Sequence, residues 1–214
     1  MDLNIMMTKN NFISSIFLIL FFSTSTYAAT VDYSFTKLPS NNQVQTDLSG
    51  QLKVSLDDNN PNGALFTFHN MVETGTASSI TQAVFGDDNS IFTSIALHSS
   101  HDKVKFTKID NLGGNDYQFI QTFSQSATGT NNGVDANDEW VSFFGTYAAN
   151  QDFESLTASI LAESFHIGIH VQSIAPYGGS DKYTLNQQVP LPAALWLFAP
   201  ALLGFLGFRR KNKV

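Results

Sequence analysis

The side chains best equipped for chemistry in this chain are its five histidines and its eighteen acids, and their spacing defines a few arrangements worth weighing. His166 and His170 stand four apart; on a helix that spacing puts two imidazoles on one face as a metal pair. Phe165, Ile167, Ile169 and Val171 alternate with them, however, which is the pattern of a strand. Four strand residues span roughly 13 Å, too far for two rings that must each lie about 2 Å from one zinc ion. They are expected as two histidines on a polar face. His98, His101 and Asp102 close an apolar run; the loop can gather them about a metal or be a solvated turn, and the lack of any further identifiable ligand favours the turn.

Oxygen ligands are more plentiful. Asp135, Asn137, Asp138 and Glu139 lie within the stretch 131–139, and Asp57-Asp58-Asn59-Asn60 and Asp87-Asp88-Asn89 form two further clusters. Calcium takes about six to eight such oxygens, so 131–139 is the candidate place for it. The EF-hand pattern is not met, because the run 135–139 lacks both the fifth-position match and the glycine. Asp and Asn are also ordinary turn residues, and no cofactor is expected on this ground.

Other chemistries find less footing. No G-x-S-x-G elbow and no phosphate-cradling or dinucleotide glycine motif is present. The absence of cysteine removes thiolate catalysis, cysteine zinc sites and disulfides together. A carboxylate pair for glycoside cleavage meets only in three dimensions, so a surface hydrolase stays open as a third reading, although no residue justifies a catalytic assignment. Trp140, Tyr147 and Tyr177 can form a sugar-stacking surface. Because Trp140 opens an alternating strand and Phe144 shares its face, core packing is the stronger expectation.

The elements that must position these groups read mostly as strands. Leu52, Val54 and Leu56 share one face, as do Ala64, Phe66 and Phe68, then Tyr117, Phe119 and Phe123. Stretches 91–97, 104–106 and 140–147 are further candidates, separated by Gly/Asn/Asp loops. Only 152–162 breaks the pattern: Phe153, Leu156, Ile160 and Leu161 fall at helical spacing, with Asp152 placed to favour the helix N-terminus. The expectation is an all-β body, a β-sandwich with one short helix lying on it.

The two ends read differently from the body. Lys9 precedes the compact apolar run 13–22 and the small polar stretch 23–26, the layout of a secretory signal. The run is half of what a spanning helix needs, and Thr26 and Ala28 suit cleavage by signal peptidase after residue 28. At the other end Val189-Pro190-Leu191-Pro192-Ala193 leads into an almost uninterrupted apolar stretch through Phe208, then Arg209-Arg210-Lys211-Asn212-Lys213. That stretch can just cross a bilayer, with its cationic flank on the cytoplasmic side. Three parts follow: a signal peptide at 1–28, a body at 29–188 and a tail at 189–214. The body carries six lysines and no arginine against seventeen acids, a formal charge of −11, so nucleic acid and anionic lipid are poor partners.

The tail, with a short proline motif, one apolar helix and a basic end, resembles the sorting tails of the PEP-CTERM family in its VPLPA form. The body resembles a recurring ectodomain of such proteins through Thr76-Ala77-Ser78-Ser79-Ile80-Thr81, the loop and strand 133–144, and Phe165-His166-Ile167-Gly168-Ile169-His170-Val171-Gln172, followed by Tyr177-Gly178-Gly179-Ser180. The resemblance implies recognition of the tail by exosortase, a membrane cysteine protease that cuts near the motif. Residues 189–193 would serve for recognition, the apolar helix for placement, and Arg209, Arg210 and Lys211 as the stop-transfer end. It further implies transient anchoring in the inner membrane facing the periplasm, then the cell surface or an exopolysaccharide matrix. The expected function is a non-enzymatic structural or adhesive one. The main alternative is a carbohydrate-binding or calcium-dependent adhesive module, with extracellular polysaccharide as partner.

Overall fold

The computed structural model describes residues 30–39, 46–109 and 117–186. The signal peptide expected at 1–28 and the sorting tail expected at 189–214 lie outside them. Among the described residues no helix is long and apolar enough to cross a membrane.

Apolar side chains at alternate positions bury one face of most strands, and this sets the architecture. The strands are β1 (Thr30–Lys37), β2 (Leu52–Asn60), β3 (Gly63–Asn70), β4 (Ser79–Asp87), β5 (Phe92–Ser100), β6 (Phe106–Lys108), β7 (Phe123–Ala127), β8 (Trp140–Tyr147), β9 (Phe165–Ile174) and β10 (Gly179–Leu185). They form one sheet in the order β5-β8-β3-β2-β1-β10-β9-β4-β7-β6, with every pairing antiparallel.

Strand β1 makes the sheet continuous. Its first part, Thr30 to Ser34, pairs with β2, and its last part, Phe35 to Lys37, pairs with β10. The sheet folds about this strand so that its two halves face one another. Phe66 on β3 meets Phe85 on β4 at 5.3 Å and Phe165 on β9 at 6.0 Å, while Phe143 on β8 meets Phe85 at 6.1 Å. These rings are fully buried, and each such side chain stabilises the fold by about 1.5 to 3 kcal/mol.

The free edges β5 and β6 come close to closing the sheet into a barrel. Gln125 on β7, almost wholly buried, donates from Nε2 to the Ile95 carbonyl of β5 at 3.0 Å. Ser100 Oγ donates to the Val104 carbonyl at 2.8 Å beside it. Side chains therefore bridge the seam where a ladder would otherwise run.

The single α-helix among the described residues, α1 (Phe153–Leu161), falls where the periodicity predicts. Asp152 caps it, accepting from Ser155 N at 2.8 Å, the normal means of satisfying an orphan amide of the first turn. Leu156 and Ile160 join the core.

Some expected elements change. Tyr117 and Phe119 do not lie in a strand with Phe123: Gln118 takes a φ of 64°, so 117–119 is a turn and β7 begins only at Phe123. Val104 precedes β6 and does not open it. The stretch 177–180 is a loop only to Gly178, because β10 starts at Gly179.

Candidate functional site

The loop 131–139 brings together part of its predicted ligand set. Glu139 is buried, and one of its carboxylate oxygens accepts from Asp135 N at 2.9 Å. Its carboxyl also hydrogen-bonds to that of Asp135. Desolvation first, then this hydrogen bond and the neighbouring negative charge, push the Asp135 carboxyl up to about 6, against an opposing pull from Lys103. Below that value Asp135 keeps its proton against the Glu139 carboxyl. Asn137 is turned elsewhere, its Oδ1 accepting from Glu73 N at 2.9 Å, and Asp138 stands exposed. Among the described residues no group of three or more histidines and acids converges as a metal site.

The other oxygen-rich clusters organise turns. Asp87 is buried and accepts from both Ile91 N and Phe92 N at 2.8 Å, fixing the β4–β5 connection. Asp57 Oδ1 accepts from Asn59 N at 2.8 Å and Asn60 Oδ1 from Asn62 N at 2.9 Å, both at the β2–β3 turn. Asp58 titrates above the usual carboxylate range because it is desolvated and lies near Asp152 and Asp57.

The histidines separate as well. His166 lies on the outer face of β9, its ring stacked on Phe119 at 4.9 Å. His170 lies on the same strand beside Lys182 of β10. His98 is exposed on β5, while His101 and Asp102 sit in the turn after it.

The segments that carry the resemblance of the body turn out to hold one another in place. Gln51 Nε2 donates to Asn70 Oδ1 at 2.8 Å and to the Thr76 carbonyl at 2.9 Å, and its Oε1 accepts from Thr76 N. Asn70, with no exposed surface, donates to the carbonyls of Ser78 and Val134 at 2.8 and 3.1 Å. Val134 in turn bridges Ile80. A Cβ on Gly133 would collide with Ser79 Oγ and the Ile80 carbonyl, so glycine there lets the loop 131–139 reach the start of β4. Buried amides fully paired in this way specify one arrangement of β2, β3 and that loop.

Of the three aromatics weighed for sugar stacking, Tyr147 points inward on β8, stacked on Phe92 at 5.3 Å, and Tyr177 is exposed in the β9–β10 turn. Trp140 faces outward. The expectation that Trp140 and Phe144 enter the core is overturned: Val141 and Phe143 do so, and Trp140 and Phe144 are half-buried on the opposite face of β8. Two apolar rings on the even phase concealed an odd phase with more apolar side chains.

The outer face of the half-sheet β2-β3-β8-β5 is consequently more structured than expected. Cross-strand pairing sets Asp57, Leu65, Phe144 and Ala96 in one row. Asp32, Ser55, Thr67 and Ser142 form the next, in which Ser55 Oγ donates to Asp32 Oδ1 at 2.6 Å and the hydroxyls of Thr67 and Ser142 meet at 2.8 Å. Lys53, His69 and Trp140 form the third; burial holds the His69 imidazole below its usual range, the nearby Asp32 opposing and Lys53 assisting. The first row ends in an open groove of about 220 Å³, lined by Asp57, Asn59, Asn60, Leu65, His98 and Phe144.

No family model matches the chain, and no curated protein or solved structure is significantly similar to it.

Proposed function

We propose that this is an exported protein whose two ends determine its destination. Residues 1–28 direct secretion. Residues 189–214 hold the chain in the inner membrane until an exosortase-type protease acts at Val189-Pro190-Leu191-Pro192-Ala193. The body, a β-sandwich made by the facing halves of its sheet, then serves a structural or adhesive, non-catalytic role at the cell surface or in the extracellular matrix.

The observation that carries this reading is the order of features at the C-terminal end: the proline motif, the apolar stretch through Phe208, and Arg209-Arg210-Lys211. A cationic flank behind a just-spanning apolar segment sets the body on the side away from the cytoplasm, where the N-terminal signal also sends it. A non-catalytic role draws support from the fold-making tasks of several buried or capping polar groups. Asp87 and Asp152 cap a turn and a helix, and Gln51 and Asn70 join strands.

The test is intact-mass and C-terminal peptide analysis of protein from its native host, in membrane and extracellular fractions. The expected mature form ends near residue 190 and lacks residues 196–214. Replacing Pro190 and Pro192 by alanine is expected to leave an unprocessed precursor in the membrane. Normal release of that variant would overturn proteolytic sorting, and a tail that persists in the wild type would make this a single-span anchored module.

A further inference from the structure

The groove beside Phe144 has the composition of a small-molecule site, with apolar surface on one wall and a few fixed polar groups on the other. Phe144 is the apolar platform. Its ring lies over the backbone of Gly63, where an ideal Cβ would stand 2.5 Å from Phe144 Cζ, so glycine at that position lets the ring settle against the strand. His98 flanks it at 6.1 Å between ring centroids, tilted by 44°, and Leu65 pairs with it from β3.

The polar wall is held in advance. The hydrogen bonds from Asn59 N to Asp57 Oδ1 and from Asn62 N to Asn60 Oδ1 fix the β2–β3 turn. Asp57 thus offers carboxylate acceptor capacity at the groove, and Asn59 and Asn60 bring amide N–H donors. A ligand that suits both walls presents an apolar C–H face to the ring and a rim of hydroxyls, which both donate and accept, to the carboxylate and amides. A pyranose ring has that chemistry. The groove at about 220 Å³ is below the 300 to 1,000 Å³ usual for drug-sized ligands, a scale that favours one sugar unit.

Charge narrows the class. The body carries −11 formally and Asp57 lines the groove itself, so uronic, sulfated and sialylated sugars are repelled. Trp140 faces outward on the same strand, four residues and roughly 13 Å from Phe144, with half-buried Thr67 and buried Ser142 on the row between, their hydroxyls paired with each other. The face therefore continues beyond the groove in the direction an oligosaccharide would run.

We infer that the outer face of β2-β3-β8-β5 binds a neutral polysaccharide, seating one pyranose on Phe144 between His98 and the Asp57/Asn59/Asn60 turn. This gives the adhesive reading a ligand and shares with it only the extracellular address.

The experiment uses the full chain in a detergent without a sugar headgroup, titrated calorimetrically with neutral α- and β-linked hexose and pentose oligosaccharides, and with uronic-acid oligomers for comparison. The expected result is binding of at least one neutral series. Phe144→Ala and Asn59→Ala should each weaken it by about tenfold or more. The exposed Asn59 side chain makes N59A the variant that leaves the fold intact, with unchanged thermal melting as the check. Binding of no neutral series, a preference for the uronic acids, or affinity unmoved in a normally melting N59A would each overturn the site. None of these outcomes bears on tail processing, which the C-terminal mass reads separately.

Discussion

The ring of Tyr117 fills the space that a side chain at Gly168 would need: an ideal Cβ there would stand 2.5 Å from Tyr117 Cδ1 and 2.9 Å from Val84 Cγ2. Phe119 does the same over Gly86, at 2.6 Å from its ideal Cβ. The turn 117–119 thus lays two aromatic rings on the outer face of β4 and β9, with Lys182 Nζ 5.2 Å over the Tyr117 ring. Glycine in the middle of β9 is a seat for a ring.

Gly168→Ala is therefore expected to destabilise the protein by about 1 to 3 kcal/mol, the usual cost of overpacking. Tyr117→Ala should also destabilise, by loss of buried surface. Together the two should cost less than the sum of their separate effects, because each removes the other's clash or cavity. Denaturant midpoints of the three variants check this, and strict additivity would mean that the ring does not sit on Gly168.

The same covering explains which strands could be read in the sequence. β2 and β3 bury one face and leave the other partly exposed, so period two is visible in Leu52, Val54 and Leu56 and in Ala64, Phe66 and Phe68; in β9 it survives under the covering because His166, Gly168 and His170 alternate with Phe165, Ile167, Ile169 and Val171. β4 is buried on both faces along most of its length, partly by Phe119 at Gly86, and its alternation is lost. β10 carries a buried Asp181 in contact with Lys37 Nζ at 2.7 Å, a polar inward position that hides the strand. At the groove, Asp57, Asn59 and Asn60 were legible as an oxygen-rich cluster. Phe144 was not legible as their neighbour, because the partnership comes from pairing β2 to β3 and β3 to β8, and register is not written in any one segment.

Asn70 should be among the least replaceable polar residues. It is fully buried and serves the Ser78 and Val134 carbonyls while accepting from Gln51. Asn70→Ala orphans several buried partners at once, at about 1 to 3 kcal/mol for each unsatisfied group. A loss of about 3 kcal/mol or more is expected by chemical denaturation. A loss below about 1 kcal/mol would show that the network is not carrying the β2–β3 and 131–139 junction.

Asp87→Ala removes both acceptors for Ile91 N and Phe92 N. Each hydrogen bond to a charged acceptor is worth about 1.5 to 3 kcal/mol, so losing the two is expected to cost about 3 to 6 kcal/mol. Asp87→Asn retains one carbonyl acceptor and should fall between. Amide exchange at Ile91 and Phe92 is the direct readout, and unchanged protection in Asp87→Ala would remove the turn from this role.

The Asp135–Glu139 pair gives the protein a pH dependence of definite sign. The Asp135 carboxyl titrates at about 6 when folded, against an ordinary 3.8, so between these values the folded state holds more protons than the unfolded one. Stability from this group is fully present below the unfolded value and is lost as pH rises through about 6. Asp135→Asn removes the carboxylate that repels Glu139 above that pH while leaving the backbone bond from residue 135 N to Glu139. Because Asp135 is exposed at its loop, solvent screening limits the gain to about 1 kcal/mol at most, about 2 to 4 °C in Tm for a body of this size. Thermal melts should show that gain at pH 7.5 and not at pH 3.5. Equal shifts at both pH values would mean that Asp135 is not held protonated by its place beside Glu139. Millimolar calcium tests the same carboxylates from the other side: with Asn137 Oδ1 engaged by Glu73 N, no rise in Tm is expected. A rise at pH 7.5 that Asp135→Asn abolishes would instead place the ion between Asp135 and Glu139.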